Sequence, residues 1–190
     1  MQLYKNILSQ RLKEGKLTII PTDTIYGLST SALIKNSVER IYQIKKRNPK
    51  KPIIILVSDI IDLALFNITI DKNTKKILEK VWPGKVSVIL SCSNKKFYYL
   101  HRGTGSLAFR LPIKDNLLDL LKITGPLVST SANPEGKPYA KTIIQAKKYF
   151  GDSVDFYVDE GRLESSPSTL IEITNGKIEI LRQGEVKIKI

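Results

Sequence analysis

The chain has 190 residues, of which 42 % are hydrophobic and 26 % charged, enough for one sizeable core and read as a single domain over 1–190. No apolar run approaches the ~20 residues that span a bilayer. The lone Cys92 and lone His101 exclude an internal disulfide and a Cys/His zinc cluster, which points to a reducing cytoplasm. The net charge of +13 directs attention to polyanionic partners, nucleic acid or nucleotide phosphates.

The N-terminal stretch places Leu3, Ile7, Leu8 and Leu12 at helical spacing over 2–14, with Gly15 as its stop, and has no leader-like apolar region. Leu17–Ile20 reads as a short strand. It runs into "PTDTIYGL", either a capped corner or the floor of a pocket. Asn36 or Ser37 is expected to cap a helix to Lys45 with Val38, Ile41, Tyr42 and Ile44 on its apolar face. "PIIILV" is apolar throughout, as in a strand covered on both faces. Asp71 opens a helix that buries Ile77, Leu78 and Val81 and stops at "WPGK". "VSVIL", "SLAFRL", "PLVST", "SVDFYV", "STLIEI" and "KIEILR" read as strands, with helices over 115–122 and 141–149. Helices alternate with strands early and strands dominate late, so the expected class is α/β, a mixed sheet with an antiparallel C-terminal portion.

Several familiar chemistries are absent. The chain has neither a G-x-x-x-x-G-K-[ST] loop nor a G-x-G-x-x-G turn after a strand, and no G-x-S-x-G elbow. His101 has no serine or cysteine at a motif spacing. What remains is polar and cationic. In "IKKRNPKKP", Lys45 and Lys46 suit a helix C-terminus, where a cation gains about 0.3–1 kcal/mol. The cluster continues past Asn48-Pro49 to Lys51, which favours an anion site, with Arg47 as a bidentate donor and Lys45 as a point charge. "PLVSTSANPEGKP" brings Ser129, Thr130, Ser131 and Asn133 to a strand end. These are ligand contacts or a self-satisfied serine/threonine turn. Arg110 alternates with Leu107, Phe109 and Leu111, as an exposed residue or as the partner of a carboxylate.

Taken in order, "PTDTIYGL", "KKR" with "KP", "WPGK", "FRLP", "STSAN", "SPSTLIEI" and "LRQG" closely resemble the YrdC/TsaC family of threonylcarbamoyl-AMP synthases, in its short single-domain form. The resemblance runs from about residue 8 to residue 186. It implies a twisted open mixed sheet flanked by helices. It also implies a nucleotidyltransferase that makes L-threonylcarbamoyladenylate and pyrophosphate from L-threonine, bicarbonate and ATP. The product serves the threonylcarbamoyladenosine modification of tRNAs reading ANN codons. The family's K-x-R and S-x-N tetrad falls on Lys45, Arg47, Ser131 and Asn133. Threonine is expected at Thr24, Arg110, Ser129 and Ser168, and the nucleotide at Arg47, Lys51, Ser106, Ser131, Tyr139 and Arg182. Mg2+ is expected with ATP, with no metal ligand assigned on the protein and no tightly bound organic cofactor. A downstream threonylcarbamoyl transferase complex and tRNA or double-stranded RNA on the basic surface are the implied partners, with no membrane.

This chain departs from the family pattern in four places. Lys46 stands where glycine is frequent, Lys85 follows "WPG" in place of proline, Glu135 stands where serine is usual, and Gln183 replaces the proline of "LRPG". "PTDTIYGL" now reads as pocket floor. Thr24 is the contact there, Gly27 allows a close approach or a sharp turn, Tyr26 is core or contact, and Asp23 is structural or metal-side. The alternative reading is an RNA-binding protein of the same fold without synthase activity, for which the charge alone would suffice.

Overall fold

The structure is a computed structural model that describes residues 2–174 and 176–188, with the side chains of residues 2–4 left aside. Leu3, expected on the buried face of the first helix, therefore falls outside the described side chains. In chain order the helices are α1 (Gln2–Lys13), α2 (Lys35–Lys45), α3 (Lys72–Val81), the short α4 (Tyr98–His101), α5 (Asp115–Thr124) and α6 (Ile143–Phe150). The strands are β1 (Thr18–Pro21), β2 (Tyr26–Ser31), β3 (Ile54–Leu56), β4 (Val86–Ser91), β5 (Ser106–Arg110), β6 (Leu127–Ser131), β7 (Phe156–Tyr157), β8 (Thr169–Thr174) and β9 (Lys177–Arg182). Among the described residues no helix is long and apolar enough to cross a membrane.

Local chemistry explains most of the boundaries. α1 ends at Gly15, whose φ of +78° lets its N–H reach Leu12 O (3.0 Å) and Lys16 N–H reach Arg11 O (2.9 Å). A Cβ there would also stand 2.3 Å from Ser37 Oγ. Asp71 caps α3 by accepting from Asn73 N–H (2.7 Å) and Thr74 N–H (2.9 Å). Thr142 caps α6 through Gln145 N–H (3.3 Å). α2 differs from expectation. It begins at Lys35 after Ile34, with no side-chain cap, because Ser37 is buried within the helix instead of standing at its entrance. Ile7, expected inside, is 41 % exposed, while Leu8 and Leu12 carry the contact with α5. Ile77 and Val81 are half-buried beside fully buried Leu78.

The described strands form one nine-stranded mixed sheet in the order β7-β1-β2-β6-β3-β5-β4-β8-β9. β1 runs parallel to β7, β3 to β5 and β4 to β8; the other neighbours are antiparallel. The antiparallel C-terminal portion expected from sequence is present as one hairpin, β8 and β9, which docks on the rest of the sheet in parallel through β4. Two-residue β7 docks at the opposite edge. β2 was not legible as a strand. Its sequence, YGLSTS, has no β-branched run, yet all six residues are buried between β1 and β6.

The period of two sorts the central strands onto two faces. Ile55, Val88, Phe109 and Val128 face the main core, together with Val38 and Ile41 of α2, Leu78 of α3, Leu100 of α4 and Ala146 of α6. On the other face α1 and α5 close a smaller core of Leu8, Leu12, Leu117, Leu120 and Leu121 over Ile20, Leu56 and Leu127. Beside that smaller core the sheet stays uncovered, and the functional cleft lies there.

Candidate active site

The cleft encloses about 280 Å³. Its floor follows from strand register. Ile54 pairs with Ala108 on one side and Ser129 on the other, and Leu56 pairs with Arg110. Ser106, Ala108 and Arg110 of β5 therefore share the open face with Ser129 and Ser131 of β6. The β1–β2 turn supplies Thr22 and Thr24, the loop after α2 supplies Arg47 and Pro52, and Ser168 and Arg182 close the far side. Three arginines line the cleft, and no carboxylate does among the described residues. The charge of its lining suits anionic ligands.

The turn in "PTDT" is built by its hydroxyls. Thr22 Oγ1 donates to Ile25 O (2.7 Å) and accepts Thr24 N–H (3.1 Å), which fixes Thr24 Oγ1 3.0 Å away. Arg110 Nη1 donates to Thr24 Oγ1 at 3.1 Å. The same nitrogen lies 3.1 Å from Asp23 Oδ1, with the two side chains 5 % and 2 % exposed. That contact is a charge pair without hydrogen-bond alignment, and Asp23 Oδ1 lacks a hydrogen-bond partner; Arg110 Nε is a second buried atom without one. Asp23 Oδ2 accepts Ile113 N–H at 3.3 Å. Burial lowers the Arg110 pKa first, with Asp23 opposing and Arg182 adding to the shift. Asp23 thus stands as the counterion of Arg110. Tyr26 is core: its ring is fully buried, and its hydroxyl donates to Gly161 O (2.6 Å) and accepts Glu160 N–H (3.0 Å). Gly27 makes no turn. It lies inside β2, where a Cβ would meet Ser129 Oγ at 2.3 Å, so a close approach is what demands glycine.

The K-x-R segment divides its labour. Lys46 closes α2 in the left-handed conformation at φ +50°, donating to Gln43 O (3.0 Å), and Arg47 N–H reaches back to Tyr42 O (3.0 Å). The chain reverses there, so Lys45 and Arg47 diverge. Lys45 is 1 % exposed and points beneath the 131–133 turn. Its Nζ donates to Ser131 O (2.5 Å), to Asn133 O and to Asn133 Oδ1 (3.4 Å). Burial and then the charge of Arg47 bring its pKa down to about 7, with Glu135 opposing. Arg47 lines the cleft, braced by Nε to Lys51 O (3.1 Å) and Nη2 to Pro52 O (2.9 Å). On the far side Arg182 Nη2 donates to Ser168 O at 2.8 Å; burial and then Arg47 lower its pKa.

Residues 10–184 match the Sua5/YciO/YrdC family, which carries the description "Telomere recombination". The chain belongs to the Sua5/YciO/YrdC family. A Methanocaldococcus jannaschii protein provisionally named a threonylcarbamoyl-AMP synthase is 33 % identical over 183 residues, 96 % of this chain and 86 % of that protein. A Pyrococcus abyssi threonylcarbamoyl-AMP synthase is 28 % identical over 180 residues, 94 % of this chain and 53 % of that one. The solved P. abyssi Sua5 complexed with L-threonine superposes with a TM-score of 0.89 at 28 % identity, covering 97 % of this chain and 55 % of that one. The present chain thus spans a little over half of either Pyrococcus chain. Its twisted mixed sheet with flanking helices is the sheet of these neighbours.

Of the residues that the family pattern singles out, Thr24, Arg47, Ser106, Arg110, Ser129, Ser131, Tyr139, Ser168 and Arg182 line one cleft. Lys45, Lys51 and Asn133 stand outside its lining. Lys45 and Asn133 build the turn that presents Ser131; Asn133 Nδ2 also donates to Pro134 O (3.1 Å) and Lys137 O (2.5 Å). Lys51 is held by Glu135 at 2.6 Å. Ser129 accepts from Ser29 Oγ (2.9 Å), and Ser168 shares a hydrogen bond with Ser87 (2.8 Å), so both reach the cleft already tied to neighbouring strands. Sequence reasoning missed the apolar lining, Ile25, Ile54, Leu56, Ala108 and Leu170 among it. Alternation from Arg110 back through Ala108 to Ser106 was a usable signal for Ala108.

Proposed function

We propose that this chain is an enzyme, a nucleotidyltransferase that makes L-threonylcarbamoyladenylate and pyrophosphate from L-threonine, bicarbonate and ATP. The observation that carries this reading is the buried Arg110, set against Thr24 with its Nε unpartnered, in a cleft whose other cations are Arg47 and Arg182. One guanidinium suits the carboxylate of an amino acid and the other two suit phosphate oxygens. The P. abyssi relative named a threonylcarbamoyl-AMP synthase and the P. abyssi Sua5 complexed with L-threonine support the reading.

In this reading Arg110 and Thr24 hold threonine. Its amine attacks the bicarbonate carbon and water leaves, giving a carbamate. A carbamate oxygen then bonds to the α-phosphorus of ATP as the bond to pyrophosphate breaks. No protein nucleophile is needed. Arg47 and Arg182 stabilise charge developing on the phosphates, and the serines orient the partners. The cleft offers guanidinium and hydroxyl groups, and Asp23 is committed to Arg110, so these residues do not fit a resident metal. Mg2+ would enter bound to ATP.

We place the activity in the cytoplasm, upstream of a threonylcarbamoyl transferase acting on tRNA, with the +13 charge favouring RNA contact. The buried Arg110–Asp23 pair and the buried Lys45 favour the synthase over a pure RNA binder, which needs its cations at the surface. The test is pyrophosphate release with ATP, Mg2+, bicarbonate and threonine, with serine as control. Release should require threonine and vanish in Arg47→Ala; threonine-independent release overturns the reading. RNA affinity should fall steeply with salt while turnover changes less.

A further inference from the structure

Glu135 stands at one of the departures from the family pattern, and the structure gives it a definite geometry. Its N–H donates to Lys45 O at 2.9 Å, which fixes it beside the 131–133 turn. From there its carboxylate crosses to the loop after α2. Oε2 accepts Asn48 N–H, and Oε1 accepts Lys51 Nζ at 2.6 Å. The Lys51 carbonyl is in turn one of the two that brace Arg47. Arg47 and Pro52 face the cleft, whereas Lys51, between them in sequence, is drawn off its lining. Lys51 and then the Asn48 N–H lower the Glu135 pKa, so the carboxylate is charged at neutral pH.

Two features make this contact exchangeable. The Lys51 side chain is 59 % exposed, and a solvated ion pair is weak and screened by salt. The cleft a few residues away carries three arginines and, among the described residues, no carboxylate, so it draws a polyphosphate towards the loop that bears Lys51. A triphosphate offers more negative charge than one carboxylate.

We propose that Glu135 is an internal counterion that competes with bound phosphate for Lys51. In the ligand-free protein the ammonium rests on Glu135; with a polyphosphate in the cleft it transfers to phosphate oxygens, and Glu135 keeps only the Asn48 N–H. Glu135 thereby weakens the grip on polyphosphate and eases the release of pyrophosphate. The role in release rests on the synthase reading; the competition for Lys51 does not.

The test is calorimetric titration of the intact chain with inorganic tripolyphosphate at low salt. Glu135→Gln keeps an acceptor for Asn48 N–H and removes the competing charge, so it should bind about fivefold tighter, the gain shrinking as salt rises. Lys51→Met alone should bind more weakly than the unaltered chain, and Glu135→Gln with Lys51→Met should lose the gain. Absence of tightening in a folded Glu135→Gln variant, or a gain that survives Lys51→Met, overturns the proposal. A purely structural clamp would lower the melting temperature of Glu135→Gln without tightening anything. A chain that shows these affinities yet releases no threonine-dependent pyrophosphate sinks the synthase reading and leaves the counterion exchange standing.

Discussion

Arg110 Nη1 and Asp23 Oδ1 lie 3.1 Å apart at the bottom of the cleft, with both side chains almost sealed from water. Removing one member of such a pair strands the other charge, at a cost of about 3–5 kcal/mol. Asp23→Ala should therefore destabilise the protein by that amount in urea unfolding. Asp23→Asn with Arg110→Met removes both charges and should recover most of the loss, while threonine-dependent turnover stays abolished. A double variant as unstable as Asp23→Ala alone would show that the pair's charge is not what matters.

Lys45 makes a pH prediction. Its pKa is about 7 in the folded chain, against an ordinary 10.5. Between those values the unfolded chain binds a proton that the folded chain does not, so stability rises with pH across the window. Below about 7 the ammonium is charged in both states and the term is constant. The slope should reach up to about 1.4 kcal/mol per pH unit for one proton. The clean range is pH 7 to about 9, since burial raises the pKa of Cys92 and of Tyr26, Tyr42, Tyr99 and Tyr157, which reverses the trend at higher pH. Denaturant midpoints of Lys45→Met should lack this rise. The variant should also be less stable, because the Ser131 and Asn133 carbonyls lose their donor.

Lys46 occupies a left-handed position that glycine adopts without strain. Lys46→Gly should raise stability by about 1 kcal/mol and leave the Michaelis constants unchanged. A loss of stability would mean that the Lys46 side chain contributes more than the strain removes.

Gly27 and Ser129 form a fitted pair, since a Cβ on Gly27 would stand 2.3 Å from Ser129 Oγ. Gly27→Ala should cost about 1–3 kcal/mol by overpacking. Adding Ser129→Ala should restore part of it, a coupling that a double-mutant cycle in thermal unfolding will register.

The sequence made the cations and hydroxyls of the site legible because functional groups of this kind recur at fixed places in short segments. The partners that decide what those groups do are distant. Nothing in "IKKRNPKKP" shows that Lys45 turns under the 131–133 turn while Arg47 faces the cleft; that divergence depends on the left-handed residue between them. Asp23 is similarly opaque, because its counterion sits on β5. β2 escaped notice since burial among strands, not β-branching, holds its small residues extended. The antiparallel hairpin at the end was legible as local pairing, but the parallel docking of β8 on β4 is a long-range choice that no local pattern encodes.

The strand order has a thermodynamic consequence. Thr24, Arg47, Arg110, Ser131 and Arg182 reach one cleft from five separate segments, and the sheet places β8 and β9 at its far edge from β7 and β1. A nucleotide and an amino acid that grip these residues together act as a strap across the sheet. At one hundred times its dissociation constant, a ligand adds about 2.7 kcal/mol to stability. Amide exchange in the β8–β9 hairpin, which among the described strands joins the sheet through β4, should then slow together with exchange in β2, although the two are not neighbours in the sheet.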